Sequence, residues 1–142
     1  MDALAIGIGN TDRGDDGAGI SVVRRLRGWR TMELGDCTGL IDAWAGEEEV
    51  IVIDAMQSGR PAGAVIGMDA ADEALNAGRF VSSHAIGLAD TVELARALGR
   101  LPARLTVYGI EADRLDHGDP MTPAVMTAVE RLAAELEREA SH

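Results

Sequence analysis

The stretch that decides the fold spans residues 3–19 and reads ALAIGIGNTDRGDDGAG. Its first part, residues 3–8, is a short apolar run bounded by glycine, which is typical of a strand buried on both faces. Residues 16–27 predict a helix, because three apolar residues recur there at three-residue spacing: Ile20, Val23 and Leu26. Asp15 or Asp16 is the expected N-cap or first-turn residue of that helix, where carboxylates are favoured. The stretch therefore predicts a buried strand, a tight glycine turn and a helix.

The rest of the chain continues this alternation. Further strands are predicted at residues 30–37, 50–54, 64–68 and 103–112, with 64–68 as the expected edge strand. Further helices are predicted at residues 40–45, at residues 88–98 and from Thr122 onward, where Thr122 and Pro123 form an N-cap followed by proline. Alternating strands and helices indicate an α/β fold. We expect one domain over residues 1–142, a three-layer fold whose twisted, mostly parallel sheet of about five strands carries helices on both faces.

Composition and charge restrict the class of protein. The chain has 142 residues and a net charge of −11, so neither nucleic acid nor an anionic membrane is expected as a partner. Its single cysteine, Cys37, cannot form an internal disulfide and is expected to be a small packed residue. The first ten residues lack a basic n-region, and no apolar stretch reaches about 18 residues. We therefore expect a cytoplasmic protein.

Three polar residues are expected at the carboxyl edge of the sheet, where open α/β sheets bind ligands. They are Asp16 in the glycine turn, Asp54 at the end of the VIVID strand, and His84 in a long loop. Two carboxylates and an imidazole that converge there would suit a divalent transition metal. Each residue alone also has a plain structural interpretation, as a helix cap, a strand-end turn or a loop histidine.

Other chemistries are poorly matched by the sequence. Gly7 and Gly9 begin a G-x-G-x-x-G pattern, but its last position is Asp12, and no phosphate-binding G-x-x-x-x-G-K-[ST] motif occurs. A pyrophosphate would meet the like charges of the turn with only Arg13 as a clamp. The chain also lacks H-E-x-x-H, G-x-S-x-G and any Cys/His signature. Nucleotide binding is therefore a weak alternative.

Four motifs occur in order along the chain: GIGNTDRGDDGAG, VIVIDAMQSGRPAG, SSHAIGL and VYGIEA. Together they closely resemble the hydrogenase maturation endopeptidase family, and the resemblance runs from about Leu4 to the final helix. It implies a twisted, mostly parallel sheet between helices. It also implies an endopeptidase that removes a short C-terminal extension from the large-subunit precursor of a nickel–iron hydrogenase after nickel insertion. The family's metal-contacting residues match Asp16, Asp54 and His84, and the nickel is expected to come with the substrate rather than to be permanently bound.

The match has two departures. Some members carry Glu at the position of Asp16, and Asp12 and Arg13 occupy turn positions that are apolar in some relatives.

We hypothesise that Asp16, Asp54 and His84 are both the catalytic and the metal-binding residues, with Asp15 capping the helix and orienting its neighbour. The alternative is a non-hydrolytic maturation factor that binds the metal or the precursor at the same site.

Overall fold

The computed structural model describes residues 2–73 and 87–140, which form five strands and four α-helices. The strands are β1 (Leu4–Ile8), β2 (Arg30–Leu34), β3 (Glu49–Met56), β4 (Val65–Asp69) and β5 (Arg104–Glu111). The α-helices are α1 (Ala18–Arg24), α2 (Leu40–Ala43), α3 (Leu88–Ala97) and α4 (Pro123–Ala140). Two 3₁₀ turns, Gly14–Gly17 and Cys37–Gly39, precede α1 and α2.

The five strands form one sheet in the order β2-β1-β3-β5-β4. The pairs β2–β1, β1–β3 and β3–β5 are parallel, and β4 runs antiparallel to β5 at the edge of the sheet. The prediction of a mostly parallel five-stranded sheet with an edge strand at 64–68 is therefore confirmed.

Helices cover both faces of the sheet and bury two apolar layers. Strand β3 contributes side chains to both layers, because side chains alternate along a strand. Val50 and Val52 point to one face of the sheet, and Ile51 and Ile53 point to the other. The first layer packs against α2 and α3, and the second packs against α1 and α4. A strand with apolar partners on both sides needs a continuous apolar sequence, which is the signal that predicted β1 and β3.

Most element boundaries differ from the predictions by one or a few residues, and three of these differences concern the first helix, β2 and β3. The helix predicted at 16–27 begins as a 3₁₀ turn and is α-helical only from Ala18 to Arg24. Strand β2 ends at Leu34, not at residue 37, and is largely exposed at the sheet edge. Strand β3 continues two residues beyond Asp54, because pairing with β5 extends to Met56.

The order of connections predicts a crevice above β1 and β3. The chain leaves β1 through α1 on one face to reach β2, then returns through α2 on the other face to reach β3. Such a reversal opens the carboxyl edge of the sheet to a ligand. None of the helices in the described ranges combines the length and apolar composition needed to cross a bilayer.

Candidate active site

Asp16 lies in the 3₁₀ turn above the end of β1, and its side chain is fully buried. Its Oδ2 accepts a hydrogen bond from the Asn10 backbone N–H at 3.0 Å, and Arg13 Nη1 lies 3.8 Å from the same oxygen. The turn needs glycine at position 9, where φ is +146° and a Cβ would lie 1.9 Å from the Asp16 carbonyl oxygen. The glycines thus let the backbone fold back on itself and enclose the carboxylate.

Asp54 lies inside β3 and is also fully buried. It shares the α2/α3 face of the sheet with Val52 and Met56, because side chains alternate along a strand. Its partner on β5 is Gly109, which puts no side chain beside the carboxylate on that face. Since the strand continues past Asp54, the interpretation of this residue as a strand-end cap is wrong.

The structure brings the elements that carry these two aspartates together. The 3₁₀ turn contacts β3, and α1 approaches the sheet so closely that a Cβ on Gly19 would lie 2.2 Å from the Ile53 carbonyl oxygen. The prediction that the turn and the strand lie side by side is therefore confirmed. His84 lies outside the described residues. Among residues 2–73 and 87–140, no three His, Cys, Asp or Glu side chains are grouped closely enough to hold a metal ion.

Asp15 is fully buried but faces a different part of the chain, the segment that joins β5 to α4. Asp15 and Asp16 both lie in the first turn, so the expectation of a first-turn acid is confirmed. Within the described residues no side chain caps the turn or α1, so the hypothesis that Asp15 caps the helix is wrong. Burial by itself raises the pKa of Asp15, but hydrogen bonds from Arg114, Thr122 and Asp113 outweigh it and hold the pKa below its usual value. The carboxylate is therefore kept ionised in the interior.

Cys37 lies in the 3₁₀ turn that follows β2 and is buried in the apolar layer under α2 and α3. Burial, followed by the negative charges of Asp54 and Asp36, raises the pKa of this thiol to about 12. A thiol in these surroundings is a packed, protonated side chain. This agrees with the sequence interpretation.

Sequence reasoning gave no role to Glu111, a buried acid at the end of β5. Both of its carboxylate oxygens accept from the Ser58 backbone N–H, at 3.1 and 3.0 Å, and Oε1 also accepts from the Ser58 hydroxyl at 2.5 Å. Arg60 Nη1 donates to that hydroxyl oxygen at 2.6 Å. Glu111 therefore holds the loop that follows β3. The signal was present in the sequence as an acid closing an apolar strand, because acids are depleted in strands.

Comparisons with known proteins agree with this geometry. Residues 34–139 match the family model of the hydrogenase maturation proteases, HycI. The chain is 30% identical to the hydrogenase expression/formation protein HupD of Rhodobacter capsulatus, over 96% of this chain and 70% of that protein. It is 28% identical to the hydrogenase 2 maturation protease of Escherichia coli, over 92% and 85%. The solved structure of the NiFe hydrogenase maturation protease HybD from Thermococcus kodakarensis is similar with a TM-score of 0.79, 29% identity and 99% coverage of both chains.

The fold and these matches define an α/β endopeptidase. The chain belongs to the hydrogenase maturation protease family. The matched range includes the positions of Asp54 and His84, whereas Asp16 precedes it. Family membership favours hydrolysis over the alternative of a binding factor that does not cleave.

Proposed function

We propose that this endopeptidase removes the C-terminal extension from the large-subunit precursor of a nickel–iron hydrogenase after nickel has been inserted. In this proposal Asp16, Asp54 and His84 contact the nickel that the precursor carries. The metal is part of the substrate, and its contact with the three residues positions the scissile peptide in the crevice above β1 and β3.

The observation that carries the proposal is the burial of two carboxylates on adjoining elements at this edge of the sheet. Asp16 and Asp54 are both fully buried, although Asp is among the residues most rarely enclosed in a protein interior. Enclosing charge disfavours folding unless the charge is compensated, so such residues are usually retained for binding or catalysis. A cation brought by the substrate would add a favourable partner for both carboxylates.

The three proposed ligands also suit the nickel that the precursor carries. Two carboxylate oxygens and one imidazole nitrogen are ligands that divalent first-row metals accept, and three protein ligands leave positions for the substrate's own groups. A ligated metal can polarise a carbonyl or lower the pKa of a bound water. The chain's own contribution is to hold the ligands still, which the tight turn at Asp16 and the strand pairing at Asp54 both support.

The test is a processing assay with purified nickel-loaded precursor, in which removal of the extension is followed by the mass of the precursor. Asp16→Ala, Asp54→Ala and His84→Ala should each lower the rate by more than about a hundredfold, since loss of outer partners of a metal site alone costs roughly ten- to a hundredfold. Asp42→Ala is the matched control, because that aspartate side chain is 88% exposed on α2. It should process normally.

Three results would contradict the proposal in different ways. Full activity in all three alanine variants would remove the assigned site. Equal cleavage of nickel-loaded and nickel-free precursor by the wild type would remove recognition of the metal while leaving the peptidase activity intact. A precursor that binds without any change of mass would favour the non-hydrolytic alternative.

A further inference from the structure

We propose that Asp15 is a positioning residue for Asp16, because it fastens the 3₁₀ turn to the segment between β5 and α4. We call residues 112–122 the β5–α4 segment. The inference rests on the proposed function only in giving Asp16 a role at the substrate's metal. The fastening itself consists of contacts within this chain.

The carboxylate of Asp15 receives four hydrogen bonds from the β5–α4 segment. Its Oδ2 accepts from the backbone N–H groups of Asp113 and Arg114, at 2.8 and 2.9 Å, and from the Thr122 hydroxyl at 2.6 Å. Its Oδ1 accepts from the Thr122 backbone N–H at 2.7 Å. One buried side chain therefore holds both ends of the segment, just after β5 and just before α4.

The backbone around Asp15 is fastened to the same segment. The Asp15 N–H donates to the Arg114 carbonyl oxygen at 2.8 Å. Gly14 has φ of +56°, and a Cβ there would lie 2.6 Å from the same oxygen, so turn and segment are in close contact. At the start of the turn, Arg13 Nε donates to the Leu115 carbonyl oxygen at 3.0 Å. The turn is thus held along one side by several independent contacts.

The Asp16 carboxylate contacts a different stretch of the chain. Its Oδ2 accepts from the Asn10 N–H, in the stretch that leads from β1 into the turn. Successive side chains of a 3₁₀ helix project about 120° apart, since the helix has three residues per turn. Fixing the direction of Asp15 therefore fixes the direction in which Asp16 projects. Asp15 therefore anchors the turn, and Asp16 contacts the substrate.

The anchor requires a carboxylate rather than an amide. The three backbone partners of Asp15 are all donors, and an asparagine side chain offers one accepting oxygen and one donating nitrogen. With the nitrogen at the Oδ1 position it would face the Thr122 N–H. With the nitrogen at the Oδ2 position it would face the N–H groups of Asp113 and Arg114. Asp15→Asn must therefore lose at least one hydrogen bond in either orientation while keeping the same shape.

The test measures amide hydrogen exchange by NMR and precursor processing on the same variants. Asp15→Asn should speed exchange of the Asn10 amide about tenfold beyond any change in the amides of β3, which is the effect expected from one lost charge-assisted hydrogen bond. It should also lower kcat for processing by about ten- to a hundredfold with little change in KM. Thr122→Val removes only the hydroxyl bond and should give a smaller change in the same direction. Thr127→Val is the matched control, because its hydroxyl bonds to the Pro123 carbonyl oxygen on α4 and does not touch the turn.

The outcomes separate the anchor from the proposed function. If the Asn10 amide and the β3 amides change equally, Asp15 is merely stabilising and the inference is overturned. If Asn10 alone loosens while Asp16→Ala is fully active, the anchor stands and the role of Asp16 fails. If Asp16→Ala is inactive but Asp15→Asn processes normally, positioning by Asp15 is refuted. Faster exchange of the Asn10 amide together with a lower kcat in Asp15→Asn, and smaller changes of both in Thr122→Val, would support both the anchor and the role of Asp16.

Discussion

Replacing Gly19 by alanine should destabilise the protein through a clash between α1 and the sheet. A Cβ at this position would lie 2.2 Å from the Ile53 carbonyl oxygen and 3.0 Å from the Ile8 carbonyl oxygen. Ordinary carbon–oxygen contacts begin at roughly 3.3 Å, so α1 would have to move by about 1 Å. Both oxygens belong to sheet strands and cannot rotate away as a side chain would. Overpacking of this kind costs about 1–3 kcal/mol of unfolding free energy.

The assay is thermal unfolding of Gly19→Ala beside Gly39→Ala. Both changes remove the same backbone freedom from the unfolded chain, but a Cβ added at Gly39 would meet no heavy atom within 4 Å, and φ there is −94°. Gly39→Ala should therefore unfold at or slightly above the wild-type temperature. Gly19→Ala should unfold lower, by about 3–4 °C per kcal/mol for a domain near this size.

The same substitution should also impair processing in the fraction that remains folded. Helix α1 follows directly on the 3₁₀ turn, so a displacement of α1 moves the backbone that carries Asp16. Equal melting temperatures for Gly19→Ala and Gly39→Ala would refute the close approach of α1 to β1 and β3, and with it our account of how turn and strand are held together.

Two further predictions concern the ionisation of two buried side chains, Tyr108 and Cys37. Burial, and then the charges of Glu139 and Glu135, raise the pKa of Tyr108, the chain's single tyrosine, above its usual value of 10.0. Because the pKa of Tyr108 is higher in the folded than in the unfolded state, this residue favours folding below pH 10, and its contribution is lost as pH rises through the folded pKa. Tyrosinate absorbance should therefore appear at a higher pH in the folded protein than in the urea-unfolded protein. An identical titration in both states would contradict this. Cys37, with its pKa raised to about 12, should resist iodoacetamide at neutral pH until denaturant is added, and rapid labelling of the native protein would show that the thiol is not packed as described.

The sequence predicted the sheet well because its central strands are buried on both faces. Such strands are written as continuous apolar runs, so β1 and β3 were identified from local composition alone. The end of β3 was misplaced because Asp54 interrupts its apolar run, and acids usually mark strand ends. The pairing of Asp54 with Gly109 on β5 overrides that preference, and no window around residue 54 contains that information.

The candidate site was predicted in part, for a similar physical reason. That Asp16 and Asp54 belong to adjoining elements followed from topology, because turn and strand meet at a carboxyl edge. The direction of Asp15 did not follow, because its partners lie in the β5–α4 segment, and a local preference for helix capping was the only guide to it. The role of Glu111 was missed likewise, since Ser58 is distant in sequence.

The anchoring of the glycine turn has a consequence for how the chain folds during synthesis. Asp15 and Thr122 are separated by 107 residues, so the turn cannot take its final form until synthesis has passed Thr122. Contacts of such long range form late and carry a large loop-closure entropy. During translation the early part of the sheet can assemble while the first motif is still unfastened. A ribosome-bound chain that has not yet reached Thr122 would therefore lack the contacts that shape the candidate site.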